Sequence, residues 1–137
     1  MPTITGLHHV AILVPDLDQA TAWYERVLGA KRLSAVDHRD ATGVFAVILE
    51  VRGMPGVLQL RRTDAPLPEG YDPLTLEVAD DAALTEWTSH LDELDIDHTG
   101  VLAKRTGNAV EVSAPGGGTL RFYTAPVGGY SGMTSKV

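Results

Sequence analysis

The run Gly6-Leu7-His8-His9-Val10-Ala11-Ile12-Leu13-Val14-Pro15-Asp16 opens a pattern that this chain states twice. Gly6, Val14, Asp16, Thr21 and Trp23 recur as Gly70, Val78, Asp80, Thr85 and Trp87, each 64 positions on. Both copies thus hold a short apolar run, an Asp and a helical pattern carrying a Trp. A second echo closes them, Gly56-Val57-Leu58-Gln59-Leu60 against Gly118-Thr119-Leu120-Arg121-Phe122. A chain of 137 residues made of two similar halves is expected to pair them into one body, with a cleft where their sheets meet. At about 65 residues, a half alone needs the other half or a second subunit to cover its sheet.

Composition narrows the function classes. The 44% apolar share is ordinary for a soluble globule. A net charge of −7 argues against nucleic acid, which needs clustered Lys and Arg to displace counterions. Here the basic residues come as scattered pairs, Lys31-Arg32, Arg61-Arg62 and Lys104-Arg105. The apolar stretch Val10 to Val14 is far short of a membrane span and has no secretory cleavage signal, so a cytoplasmic protein is expected. Without Cys there is no disulfide, thiolate nucleophile or thiolate metal ligand.

Periodicity places the elements. Leu7 to Val14 reads as a strand, and Asp16 with Gln19 three residues on predicts a helix cap. The helix is expected to reach Leu28, with Ala20, Trp23, Tyr24 and Val27 on one face and Gly29 as its stop. Strands follow near Lys31 to Val36, Val44 to Val51 and Val57 to Arg61, while Asp37-His38-Arg39-Asp40 reads as an exposed charged turn. Residues 63–72 form the linker. The second copy repeats the order: strand Leu74 to Val78, a helix from Asp80 or Asp81 through Leu94, then strands near Thr99 to Lys104, Ala109 to Ala114 and Thr119 to Thr124. Gly116-Gly117-Gly118 is a hairpin turn and not a phosphate loop, since a strand follows it. Both tryptophans are expected in the core. The tail from Val127 is expected to be mobile or to pack on a neighbour.

Gly6 to Leu17, followed by Trp23-Tyr24 and Leu28-Gly29, resembles the opening of the vicinal oxygen chelate superfamily. That group holds glyoxalase I, extradiol dioxygenases, fosfomycin-resistance enzymes and bleomycin-resistance proteins. Ala114-Pro115-Gly116-Gly117-Gly118 with Leu120-Arg121-Phe122-Tyr123 is similar to its closing hairpin, so the resemblance covers residues 5 to about 126. It implies an α+β fold in which two βαβββ modules, 5–62 and 70–126, pair into an open barrel-like cup. The whole is one domain over 1–126, with the linker at 63–72 and the tail at 127–137. It also implies a homodimer and, inside the cup, a divalent metal such as Fe, Mn, Zn or Ni.

The four family ligand positions match His9, Gln59, Pro73 and Arg121. His9 is a good ligand and Gln59 a weak one. Pro73 offers no donor, and Arg121 stands where the family places a Glu; its guanidinium only donates and repels a cation. The expectation is therefore no cofactor, with His9 and Gln59 as ligands only if a metal is present.

Taking His9 as inward, alternation also aims Ala11, Leu13, Gln59, Arg61, Thr75, Glu77, Glu111, Ser113, Arg121 and Tyr123 into the cup. His9, Glu111 and Arg121 form the candidate catalytic set, as base or charge stabiliser. Gln59, Arg61, Thr75, Glu77 and Tyr123 are candidate ligand contacts. Glu77 and Glu111 also read as counter-charges for the two arginines, and Tyr123 as sheet packing. His8, His38, His90 and His98 read as structural or solvated. The favoured function is binding of a small oxygenated or anionic organic molecule without the full metal site. The alternatives are a metal-dependent lyase, isomerase or extradiol-type dioxygenase acting on vicinal oxygens, and a metal-free acid–base enzyme.

Overall fold

Asp16 and Asp80 start the two long helices, and they do so in the same way. Each sits in extended backbone just before its helix, and its carboxylate accepts a backbone N–H three residues on, Gln19 at 3.0 Å and Ala83 at 2.9 Å. The structure, a computed structural model, describes residues 1–133. Strand β1 (His9–Val14) leads into helix α1 (Leu17–Leu28), which Gly29 ends in the left-handed conformation at φ 62°. Then come β2 (Lys31–Arg32), β3 (His38–Asp40), β4 (Gly43–Glu50) and β5 (Val57–Arg62). The second copy runs β6 (Leu74–Val78), α2 (Asp81–Glu93), β7 (Leu102–Ala103), β8 (Asn108–Ser113) and β9 (Thr119–Thr124). The class is α+β with two βαβββ modules, the first enlarged by the short strand β3.

Two compact units result: Met1–Leu74 with Ala114–Gly118, and Thr75–Ser113 with the chain from Thr119 on. The first holds a sheet in the order β1-β5-β4-β2, with β3 paired to β4. β1 and β5 run parallel, with Ala11 opposite Gln59 and Leu13 opposite Arg61. Ile12, Val14, Leu58 and Leu60 alternate with these and are buried, as are Ala20, Tyr24 and Val27 of the helix packed on β4 and β5. Close approach at the strand start requires glycine: a Cβ on Gly56 would run into the carbonyl oxygens of Leu7 and His8, and its φ is +72°. From the linker, the Tyr71 hydroxyl accepts the Leu13 N–H at 3.0 Å. Burial, and then the nearby Tyr71, push the Tyr24 hydroxyl above the usual phenol range.

The second unit holds the sheet β6-β9-β8-β7, with α2 packed on β8 and β9. Leu84, Leu91, Val110, Val112, Leu120 and Phe122 are fully or almost fully buried. Phe122 stacks on Trp87 with ring centroids 4.2 Å apart. Among the described residues no helix is long and apolar enough to cross a membrane.

Several expectations need correction. The strand after α1 stops at Arg32, because Asp37 accepts from its guanidinium at 2.8 and 3.1 Å and folds the chain back through a 3-10 turn over Ser34–Val36. Residues 38–40 form the strand β3 and not a turn, though Arg39 and Asp40 are exposed as expected; the register of β3 on β4 shifts between His38 and Arg39. β7 is only two residues long, since Gly100 with φ 68° breaks the extended backbone that precedes it. The two tryptophans are half-buried; the fully buried aromatics are Tyr24 and Phe122.

Candidate functional site

Strand alternation fixes what the second sheet presents. Leu120 and Phe122 turn toward α2, so Thr119, Arg121 and Tyr123 face the other way, as do their partners Ser113, Glu111 and Ala109. Arg121 and Glu111 stand directly opposite, and the guanidinium Nε donates to the Glu111 carboxylate at 2.6 Å. The side chains are only 19% and 21% exposed, so the pair is largely withdrawn from water. Nη1 of Arg121 donates to the Thr75 hydroxyl at 3.3 Å, and Lys104 Nζ lies 3.6 Å from the same Glu111 oxygen. The Tyr123 hydroxyl accepts from Thr106 at 3.0 Å.

Thr75, Thr106, Arg121 and Tyr123 line a pocket of about 390 Å³, joined by Glu77 and Tyr130, while Glu111 and Lys104 stand behind the guanidinium outside the lining. All belong to the second unit. The hydrogen-bond polarity is informative. Thr75 and Tyr123 each accept one bond from the protein, which leaves each hydroxyl proton to be donated. With the guanidinium between them, this wall offers donors to an incoming oxygen, while Glu77 adds one acceptor at the exposed side.

The other candidate residues belong to the first unit. Gln59 is buried on β5 between Ala11 and Ile48. Arg61 lies over the Phe45 ring at 4.9 Å, and His38 meets the same ring edge-on at 5.9 Å. His9 is exposed and its Nδ1 lies 2.8 Å from that of His8. His98, in the second unit, is held by Asp92 at 2.7 Å and accepts the Gly100 N–H. Lys104, Thr106 and Tyr130 were not expected at the site. Lys104 and Thr106 sit just beyond the end of β7, and Tyr130 lies in the tail, where no periodicity assigns a direction. Of that tail, residues 127–133 are described, and Tyr130 lines the pocket of its own unit; residues 134–137 lie outside the described residues.

The Arg121–Glu111 pair carries a pH signature. The hydrogen bond from Arg121 outweighs the cost of burial and holds Glu111 below its ordinary value of 4.5. A carboxyl more acidic in the folded than in the unfolded chain stabilises fully above the unfolded value, and that contribution fades as pH falls through the lower folded one. The urea midpoint is therefore expected to fall as pH drops below about 4.5. Glu111→Gln is expected to flatten that slope. Asp40, held down by the Thr42 hydroxyl, acts in the same direction and leaves a residual slope. A full slope in the Glu111 variant would place the acid sensitivity elsewhere.

A βαβββ module repeated, with the first strand of each beside the last, defines the class of fold. The chain belongs to the Glyoxalase/Bleomycin resistance protein/Dioxygenase superfamily, whose profile matches residues 6–122. Solved structures agree. A glyoxylase/bleomycin resistance protein/dioxygenase domain from Frankia sp. EAN1pec is 22% identical with a TM-score of 0.71, over 92% of this chain and 96% of that one. TnmS3, an antibiotic binding protein from Streptomyces sp. CB03234, is 19% identical with a TM-score of 0.71, over 91% and 99%. A point mutant of the fosfomycin resistance protein FosX from Listeria monocytogenes, complexed with Mn(II) and 1S,2S-dihydroxypropylphosphonic acid, is 14% identical with a TM-score of 0.70, over 92% and 96%. At these identities the likeness is one of fold. A search of curated protein sequences finds no match.

Superfamily members often use a divalent metal, as the Mn(II) complex illustrates. At the four positions that the resemblance assigns to ligands, this chain offers His9, Gln59, Pro73 and Arg121. A guanidinium already bonded to a carboxylate has no lone pair to give, and proline has no side-chain donor. That leaves two donors where a catalytic metal normally takes about three.

Proposed function

We propose that this chain binds a small oxygenated or anionic organic molecule in the Arg121 pocket of its second unit, without the superfamily's usual metal. The observation that carries the reading is Arg121. It lines the pocket at a ligand position of the family, is oriented by Glu111 and Thr75, and is flanked by hydroxyls polarised to donate. A cavity of about 390 Å³ suits a molecule at the small end of the usual range. Glu111, held ionised by Arg121, is a poor general base near neutral pH, which favours binding over acid–base catalysis. In this reading the two modules form one domain, and the protein acts in the cytoplasm as a homodimer. Exposed Ile4, Leu7 and Leu13, before and on β1, supply apolar surface for the second subunit.

One preparation tests this. Protein purified without chelator and supplied with Mn, Fe, Ni, Zn and Mg is expected to retain no stoichiometric metal by elemental analysis. It is expected to sediment as two chains and to bind benzoate saturably. About one metal per chain, held through dialysis, would refute the metal-free reading and bring lyase and dioxygenase assays forward.

A further inference from the structure

Tyr130 reaches the pocket from a segment that, among the described residues, is not held to the rest of the fold by backbone pairing. After β9 the Gly129 N–H closes a turn on the Pro126 carbonyl at 2.8 Å, and a single 3-10 turn follows over Tyr130–Gly132. Among the described residues, the backbone–backbone hydrogen bonds of 126–133 stay within that segment. Gly128 and Gly129 have φ of 80° and 74°, a conformation that glycine adopts without strain. Tyr130 follows them directly. It lines the pocket yet is 64% exposed, so much of its ring is still open to contact. An aromatic ring at the mouth of a pocket offers a flat apolar face, and a second ring, Tyr123, stands on the same wall.

We propose that Tyr130 is a specificity-determining residue that makes the pocket prefer a planar aromatic anion to a saturated one of equal charge and similar size. This rests on the anion-binding reading above. Arg121, Thr75 and Tyr123 take the charged oxygen, and the glycine pair lets Tyr130 settle against the ligand ring. The charge contact serves any carboxylate; only the ring contact distinguishes a flat molecule from a puckered one.

Benzoate and cyclohexanecarboxylate are the matched probes, titrated into the full chain and followed by amide chemical shifts. Benzoate is expected to bind about fivefold tighter, the size of one aromatic contact. Tyr130→Ala is expected to weaken benzoate about fivefold more than cyclohexanecarboxylate, so that the two acids bind alike. Tyr130→Phe is expected to keep the preference. Because the residue is exposed, the alanine variant is expected to melt with the parent protein. Equal binding of the two acids by the parent, or a preference that survives Tyr130→Ala, overturns the inference while anion binding stands. Binding of neither acid overturns both.

Discussion

Arg121→Ala is expected to weaken benzoate binding by at least about tenfold, because it removes a charge-assisted donor from a mostly buried site. The loss should be shared by every anionic ligand, aromatic or saturated, since the guanidinium contacts charge and not ring. Arg121→Lys keeps the charge without the planar fork and is expected to recover only part of the affinity. The alanine variant should also be less stable. Glu111 would keep Lys104 at 3.6 Å but lose its closest partner, the guanidinium at 2.6 Å. With side chains about one-fifth exposed, the expected cost is roughly 1–2 kcal/mol, below that of a fully buried broken pair. Titration calorimetry and urea denaturation of the same variant separate the two effects. Unchanged benzoate affinity in Arg121→Ala would remove the central support of the proposed function.

The largest stability effect is expected at Phe122. It is completely buried between the second sheet and α2, and its ring stacks on Trp87 at a 17° interplanar angle. Phe122→Ala removes the ring's transfer energy and leaves a cavity, together about 3–5 kcal/mol. Trp87 is half-buried and offers less to lose, so Trp87→Phe is expected to cost well under half as much. Urea unfolding with both variants makes the comparison. A Phe122→Ala cost below about 1 kcal/mol would mean that α2 and its sheet are not packed as described.

Much of the fold was legible because its signals are local and periodic. Asp16 and Asp80 announced both helices through an offset that also carried β1 onto β6. Period-two alternation likewise set Glu111 on the same face as Arg121, and pairing in the sheet then made them opposite. Where a feature depends on a distant or irregular partner, the sequence was silent. Asp37 cut β2 short through a side-chain bond to Arg32, which no propensity anticipates. His38 to Asp40 looked like a turn on composition, yet β4 recruits it as a strand. At the pocket, the strand residues Thr75, Glu77, Arg121 and Tyr123 were readable from alternation. Thr106 and Tyr130 were not, because a loop's path is set by what it packs on.

The bond from the Leu13 N–H to the Tyr71 hydroxyl has a wider consequence. β1 lies at the end of its sheet, and its His8 and Val14 carbonyls point to β5, where they accept from Val57 and Thr63. Alternation then turns the amides of His9, Ala11 and Leu13 outward, along an apolar strand of the kind that invites another strand to dock and aggregate. A phenol from the inter-module segment occupies one rung of that ladder. Any strand adding at full length would first have to evict it. The linker therefore does more than span the two copies: its phenol caps one backbone rung at the edge of the first unit's sheet.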